Sequence, residues 1–125
     1  MAKVKFAFED LEIWQKAVDF ARLVIDISEG IDTGRKHYRL IEQLEASATS
    51  IALNIAEGRG RYSRKEYIQF LYIARGSLYE TITLMTLFYK NRWITEKQLD
   101  EVKVFACEIG KMLSGLVSFL RRSLT

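Results

Sequence analysis

A chain of 125 residues without one proline, broken by only three clusters of turn-forming residues, is suited to long helices. Proline removes a backbone donor and clashes inside a helix, so its absence lets each apolar run continue. The breaks are Gly30-Ile31-Asp32-Thr33-Gly34, the glycine-arginine turn at 58–63, and Asn91-Arg92-Trp93-Ile94. Between them apolar residues recur at three- and four-residue spacing, the rhythm of a helix with one buried face. Helices are predicted over about 11–29, 35–57, 64–90 and 96–122, and no strand-like alternation competes. Four such helices joined by short turns most economically form an all-α, antiparallel up-down-up-down four-helix bundle, one domain over residues 1–125.

Each helix carries its own core line. On the first, between an Asp10 N-cap and Gly30, it is Leu11, Trp14, Val18, Ala21, Ile25 and Ser28. A second stripe, Ile13, Phe20 and Ile27, exceeds what a lone bundle needs and is assigned to an oligomer interface. The second helix buries Ile41, Leu44, Ala48, Ile51 and Ile55, while Ala48, Ala52 and Ala56 allow close helix approach. It is expected to end at Gly58 in a left-handed cap. Ser63 and Glu66 form a capping box that opens the third helix, which buries Tyr67, Phe70, Leu71, Ala74, Leu78, Ile82 and Met85. Gly76 costs that helix about 1 kcal/mol against alanine, which suggests tight packing there. Thr95 and Gln98 form a second capping box. The fourth helix follows, with Leu99, Val102, Ala106, Ile109, Leu113, Leu116, Val117 and Leu120 inward. Its small residues Ala106, Gly110, Ser114 and Ser118 make a further stripe, and residues 1–8 read as a tail.

Enzyme chemistry finds no support. His37 is the sole histidine and Gly34 stands three residues before it, so the Glu-x-x-His pairs of a di-iron bundle are missing. The same shortage argues against a histidine-rich zinc site, and no metal or other cofactor is expected. Cys107, also alone, reads as a small buried hydrophobe rather than a nucleophile. Gly58-x-Gly60 follows a helix instead of a strand, which excludes a dinucleotide fingerprint. The N-terminus has no apolar export segment, no run reaches membrane-spanning length, and a single cysteine suits a reducing cytoplasm.

Charge is more informative. The net charge is +3, from 19 basic and 16 acidic residues. In the predicted topology the first and last residues share one end with the 58–63 turn. Lys3, Lys5, Arg59, Arg61, Arg64, Lys65, Arg121 and Arg122 gather there against Glu9, Asp10, Glu12, Glu57 and Glu66, a surplus of three. At the opposite end six basic residues balance six acidic ones. Arg64 and Lys65 also sit at a helix N-terminus, where the dipole disfavours cations by a few tenths of a kcal/mol. A basic corner with Tyr62 and Tyr67 is able to grip a phosphate backbone and stack on unpaired bases. The competing reading has these charges simply solvated and the tyrosines packed. Asn54, Glu57 and Glu80 lie close to the core lines; a polar pocket is one reading, and a structural hydrogen-bond network, with Arg75 as a possible member, is the preferred one.

The segments LEIWQKA (11–17) and QLEASATSIALNIAEGRGRYSRKEYIQFLYIARGSLYE (43–80) resemble the proteins encoded within intervening sequences of bacterial 23S ribosomal RNA genes. The resemblance rests on Trp14-Gln15-Lys16-Ala17, Asn54-Ile55-Ala56-Glu57-Gly58 and Gly76-Ser77-Leu78 with Glu80. It implies a four-helix bundle and ring-shaped homo-oligomers, commonly pentamers, as in the related accessory variability proteins of diversity-generating retroelements. Those relatives bind nucleic acid through a basic surface. The resulting expectation is a non-enzymatic oligomer that binds nucleic acid, RNA ahead of DNA, through Arg59, Arg61, Arg64 and Lys65 with Arg121 and Arg122. The alternative is an adaptor that docks a protein partner such as a reverse transcriptase or a ribosomal component.

Overall fold

A computed structural model describes residues 3–122, so Met1 and Ala2 of the expected tail lie outside the described residues. Four helices carry the fold: α1 (Glu12–Glu29), α2 (Tyr38–Arg59), α3 (Arg64–Lys90) and α4 (Glu96–Arg122). Each packs on the next and α4 closes on α1, with no diagonal contact among the described residues, which makes a square four-helix bundle. The contacts also set direction. Ser47 meets Thr81 and, one turn along, Ser50 meets Ser77, so α2 and α3 run oppositely. Lys16 reaches Glu108 while Phe20 meets Phe105, so α1 and α4 do the same. Among the described residues no helix is long and apolar enough to cross a membrane.

The core lines of α2 and α4 fall largely where the periodicity puts them: Leu44, Ala48, Ile51 and Ile55 are buried on α2, and Leu99, Val102, Ala106, Ile109, Leu113, Val117 and Leu120 on α4, while Ile41 and Leu116 are half-buried. On α3, Tyr67, Leu71, Ala74, Leu78 and Met85 are buried as expected, joined by Ile68, Thr81, Leu84 and Phe88, whereas Phe70 and Ile82 are only half-buried.

Helix α1 is turned from the expected orientation. Ile13, Phe20 and Ile27, assigned above to an oligomer interface, are buried inside the protomer together with Ala17 and Val24. Of the expected core line, Ala21 and Ser28 are buried, while Leu11, Trp14, Val18 and Ile25 lie half-buried on the helix's flank. Both stripes are apolar, and the partners decide between them. Phe20 packs edge-on to Phe105 at 5.5 Å, and Lys16 pairs with Glu108 at 2.7 Å on the α4 side. That hydrogen-bonded carboxylate holds the Lys16 ammonium above its ordinary pKa.

Three local expectations also change. Leu11, not Asp10, is the N-cap of α1, because residues Ala7–Asp10 form a 3-10 turn that lays Phe8 against Trp14 at 5.0 Å. Helix α2 begins at Tyr38 rather than 35, since Gly34, Arg35 and His37 all have left-handed φ near +64° and cannot extend a right-handed helix. The His37 ring lies 5.0 Å from Trp93, which ties this turn to the 91–94 turn. Cys107 is exposed, because it falls one residue past Ala106 on the outer side of α4.

Gly58 is no left-handed cap. It is buried inside α2, and Gly60 ends the helix with φ of −82°. A Cβ at Gly58 would stand 2.8 Å from the Phe70 Cβ and 2.9 Å from the Tyr67 ring, so α3 crosses α2 where only hydrogen fits. Gly58→Ala should therefore destabilise the fold by about 1–3 kcal/mol through overpacking, read as a lower urea midpoint. Gly76→Ala makes the contrast. Nothing lies within 4 Å of a Cβ there, contrary to the tight packing expected, and relief of glycine's helix penalty should raise stability by up to about 1 kcal/mol.

Candidate nucleic-acid interface

The end of α2, the 60–63 turn, the start of α3 and the end of α4 converge at one end of the bundle. Thr95 and Gln98 complete their capping box at the opposite end, with bonds of 2.9 and 3.1 Å. At the near end the Ser63 hydroxyl accepts from the Glu66 N–H at 3.1 Å and donates to the Glu66 carboxylate at 3.1 Å. This cap fixes where Arg61, Arg64 and Lys65 leave the backbone.

Arg59, Arg61, Arg64, Lys65, Arg121 and Arg122 are all exposed, and the fold brings them to this end together. Among the described residues, Arg59, Arg61, Arg64, Lys65 and Arg121 form no ion pair with the carboxylates of Glu57 or Glu66; the ion pairs seen are Lys5–Asp10 and Lys16–Glu108. Aromatic faces support the guanidiniums instead. Arg61 lies over Phe70 at 4.6 Å, Arg64 over Phe119 at 5.7 Å, and Arg121 over Tyr72 at 5.4 Å with a hydrogen bond to its hydroxyl. Such contacts hold a cation in place without cancelling its charge.

Arg75 was not foreseen at this surface. It stands between Tyr72 and Tyr79 at 5.7 and 5.6 Å, extending the basic and aromatic band along the outside of α3. The signal lay in the Tyr-x-x-Arg-x-x-x-Tyr spacing, which puts all three on one helical face.

The polar network between α2 and α3 has other members than expected. Asn54 donates to the Ser50 carbonyl and hydroxyl at 2.8 and 2.9 Å, and Ser77 donates to the Ser50 hydroxyl at 2.8 Å. Ser47 and Thr81 share a buried bond of 2.9 Å. Glu57 and Glu80 are exposed and take no part, because hydroxyls satisfy this narrow seam without burying a charge.

The two tyrosines divide. Tyr62 is fully exposed and available for stacking, whereas Tyr67 is only 9% exposed and packed in the core. The Tyr67 hydroxyl is shielded from solvent and has no hydrogen-bond partner among the described residues. Burial raises its pKa, opposed by the nearby Arg59 charge. Tyr67 also lines a cleft of about 360 Å³ whose rim includes Arg59, Arg61, Tyr62, Ser63 and Arg64.

Two further grooves flank the bundle. Trp14, Val18, Ile25 and the 64%-exposed Leu53 border an almost wholly apolar one between α1 and α2. Ile82, Cys107, Gly110 and Ser114 border another between α3 and α4, which the square arrangement places on the opposite side.

Among solved structures, the chain is similar to a crystal structure, at 1.70 Å, of a protein with unknown function from the S23 ribosomal protein family of Bacteroides thetaiotaomicron. The TM-score is 0.78 at 27% identity, over 84% of this chain and 97% of that one. A search of curated proteins returns no match. The family model described as 23S rRNA-intervening sequence protein matches residues 9–115, and the chain belongs to that family.

Proposed function

We propose that this protein is a non-enzymatic homo-oligomer that binds nucleic acid, RNA in preference to DNA, through the basic end of the bundle. The observation that carries this reading is the group Arg59, Arg61, Arg64 and Lys65. All four are exposed at one end and take part in no ion pair among the described residues. Unneutralised cations beside exposed aromatic rings suit phosphates and unpaired bases. Membership of a family named for a ribosomal RNA insertion favours RNA as the ligand.

Oligomerisation draws on the two grooves. A patch between α1 and α2 and a different one between α3 and α4, on opposite sides, suit a head-to-tail contact that closes into a ring such as a pentamer. A ring would set several basic ends side by side and raise the field acting on phosphates. The same apolar grooves are what an adaptor docking a protein partner would use.

A fluorescence-anisotropy titration against a structured RNA and a matched DNA duplex, over a salt series, tests the reading. Phosphate-dominated binding gives a steep fall of log affinity with log salt, about 0.7–0.9 per phosphate neutralised, with RNA the tighter ligand. A weak signal that does not respond to salt would retire it in favour of the adaptor.

A further inference from the structure

The seam between α3 and α4 next to the basic end is free of acidic residues over a long stretch. No aspartate or glutamate occurs from Tyr67 to Tyr79 on α3 or from Ile109 to Arg122 on α4. The bundle sets these stretches side by side, with Arg121 against Tyr72 and Gly110 against Leu78. A small pocket of about 150 Å³ opens there, and Tyr72, Arg75, Ser114, Ser118 and Arg121 are in its lining. That is about half the lower limit for a small-molecule site, room for a phosphate group and not for a nucleoside. The two guanidiniums are braced rather than neutralised. Arg75 and Arg121 stand 5.7 and 5.4 Å from the centre of the Tyr72 ring, and the Tyr72 hydroxyl accepts from Arg121. Stacking uses the face of a guanidinium and leaves N–H groups along its edge to bind an oxygen. Neither arginine forms an ion pair among the described residues.

We propose that this pocket seats one backbone phosphate of a single-stranded RNA whose adjoining base stacks on Tyr79. Arg75 and Arg121 donate to the phosphate oxygens, with the Ser114 and Ser118 hydroxyls in the same lining. Tyr79 is 58% exposed and lies one helical turn beyond Arg75, its ring centre 5.6 Å from that guanidinium, so it offers a platform beside the phosphate. In a duplex the faces of the bases are covered by their stacked neighbours, so only an unpaired base takes this position. A pair of arginines alone would serve any phosphate; the ring next to them selects the single strand. The pocket shares only Ser114 with the larger groove between α3 and α4, so a subunit contact in that groove does not fill it.

The inference rests on the nucleic-acid reading of the basic end, which supplies most of the phosphate contacts, and one experiment separates the two. A labelled single-stranded RNA, and the same strand annealed to its RNA complement, are titrated over a salt series against the wild-type protein, the double variant Arg75→Gln with Arg121→Gln, and Tyr79→Leu. Urea midpoint and oligomer mass are measured for each. The wild type should hold the single strand about tenfold more tightly than the duplex, the scale of one stacked base. The double variant should erase that preference and lower the single-strand salt slope by about 0.7, one phosphate. Tyr79→Leu should erase it at an unchanged slope, because the stack carries no charge, and should keep the duplex affinity and the oligomer mass. Equal wild-type affinity for strand and duplex would overturn the seat but leave binding at the basic end standing. Binding of neither would overturn both. A double variant with a lowered urea midpoint and an intact preference would make the stack a structural brace and overturn the seat. A preference that disappears in Tyr79→Leu only together with a change in oligomer mass would give Tyr79 to the subunit contact and overturn its role here.

Discussion

Replacing Arg59, Arg61, Arg64 and Lys65 together with alanine is expected to abolish nucleic-acid binding while leaving helical content intact. The binding loss follows from counterion release. If each cation neutralises one phosphate, removing four lowers the slope of log affinity on log salt by about 3–4 units, together with most of the affinity at moderate salt. The fold should tolerate the change for local reasons. All four side chains are exposed, and the interactions forfeited are cation–π contacts of Arg61 with Phe70 and Arg64 with Phe119. Exposed contacts of that kind contribute about 0.5–1 kcal/mol each. Part of this is returned, since Arg64 and Lys65 occupy the first turn of α3, where the helix dipole opposes positive charge. Circular dichroism checks the fold and anisotropy the binding. An unchanged affinity would remove the basic end from any account of function.

Phe20→Ala should be the most damaging single substitution considered for this chain, at about 3–5 kcal/mol of unfolding free energy. Phe20 is fully buried, packs edge-on against Phe105 of α4, and sits with Ala17 and Val24 at the centre of the bundle. Shortening it leaves a void that backbone helices close poorly. Urea denaturation monitored by circular dichroism measures the effect, best in a background variant that stays folded enough to fit both baselines. The result also separates two roles for the Ile13–Phe20–Ile27 stripe. A side chain serving only as subunit contact would, once truncated, change the oligomer's mass and leave an isolated protomer's stability within about 0.5 kcal/mol. Substitution of Leu53, exposed in the α1–α2 groove, should behave in that second way.

How far the sequence reached can be judged from particular elements. Helix α4 was legible from Glu96 to Arg122, because a single apolar stripe runs along an otherwise polar helix and a capping box marks its start. Helix α3 was legible from the spacing of its core residues and from the capping box at its start, where Ser63 accepts from the Glu66 N–H. The six basic residues converge because short turns force consecutive helices to alternate in direction, and that too follows from the order of elements. Helix α1 shows the limit. It carries two apolar stripes, and periodicity ranks neither above the other.

Glycine shows the same limit in another form. The sequence marks Gly58 and Gly76 alike as breaks in helical propensity, yet Gly58 meets Phe70 and Tyr67 at less than van der Waals separation for a Cβ while Gly76 meets nothing. Propensity is a property of one helix, and close approach is a property of two. The Asn54 network is similar: a polar residue beside a core line needs a partner, but only the register of α2 on α3 selects Ser50, Ser77, Ser47 and Thr81 over Glu57 and Glu80.

By itself, then, the sequence determined the helical class, the number and approximate extent of the helices, the end at which positive charge collects, and the family resemblance. Those properties depend on local periodicity, capping and chain order, all written along one dimension. Tertiary structure alone decided which stripe of α1 faces inward, that Gly58 is a crossing point, that Cys107 faces outward, and that the Tyr67 hydroxyl is buried without a partner among the described residues. Each of these depends on how one helix is rotated and offset against another, a choice made by the fit of side chains across the interface.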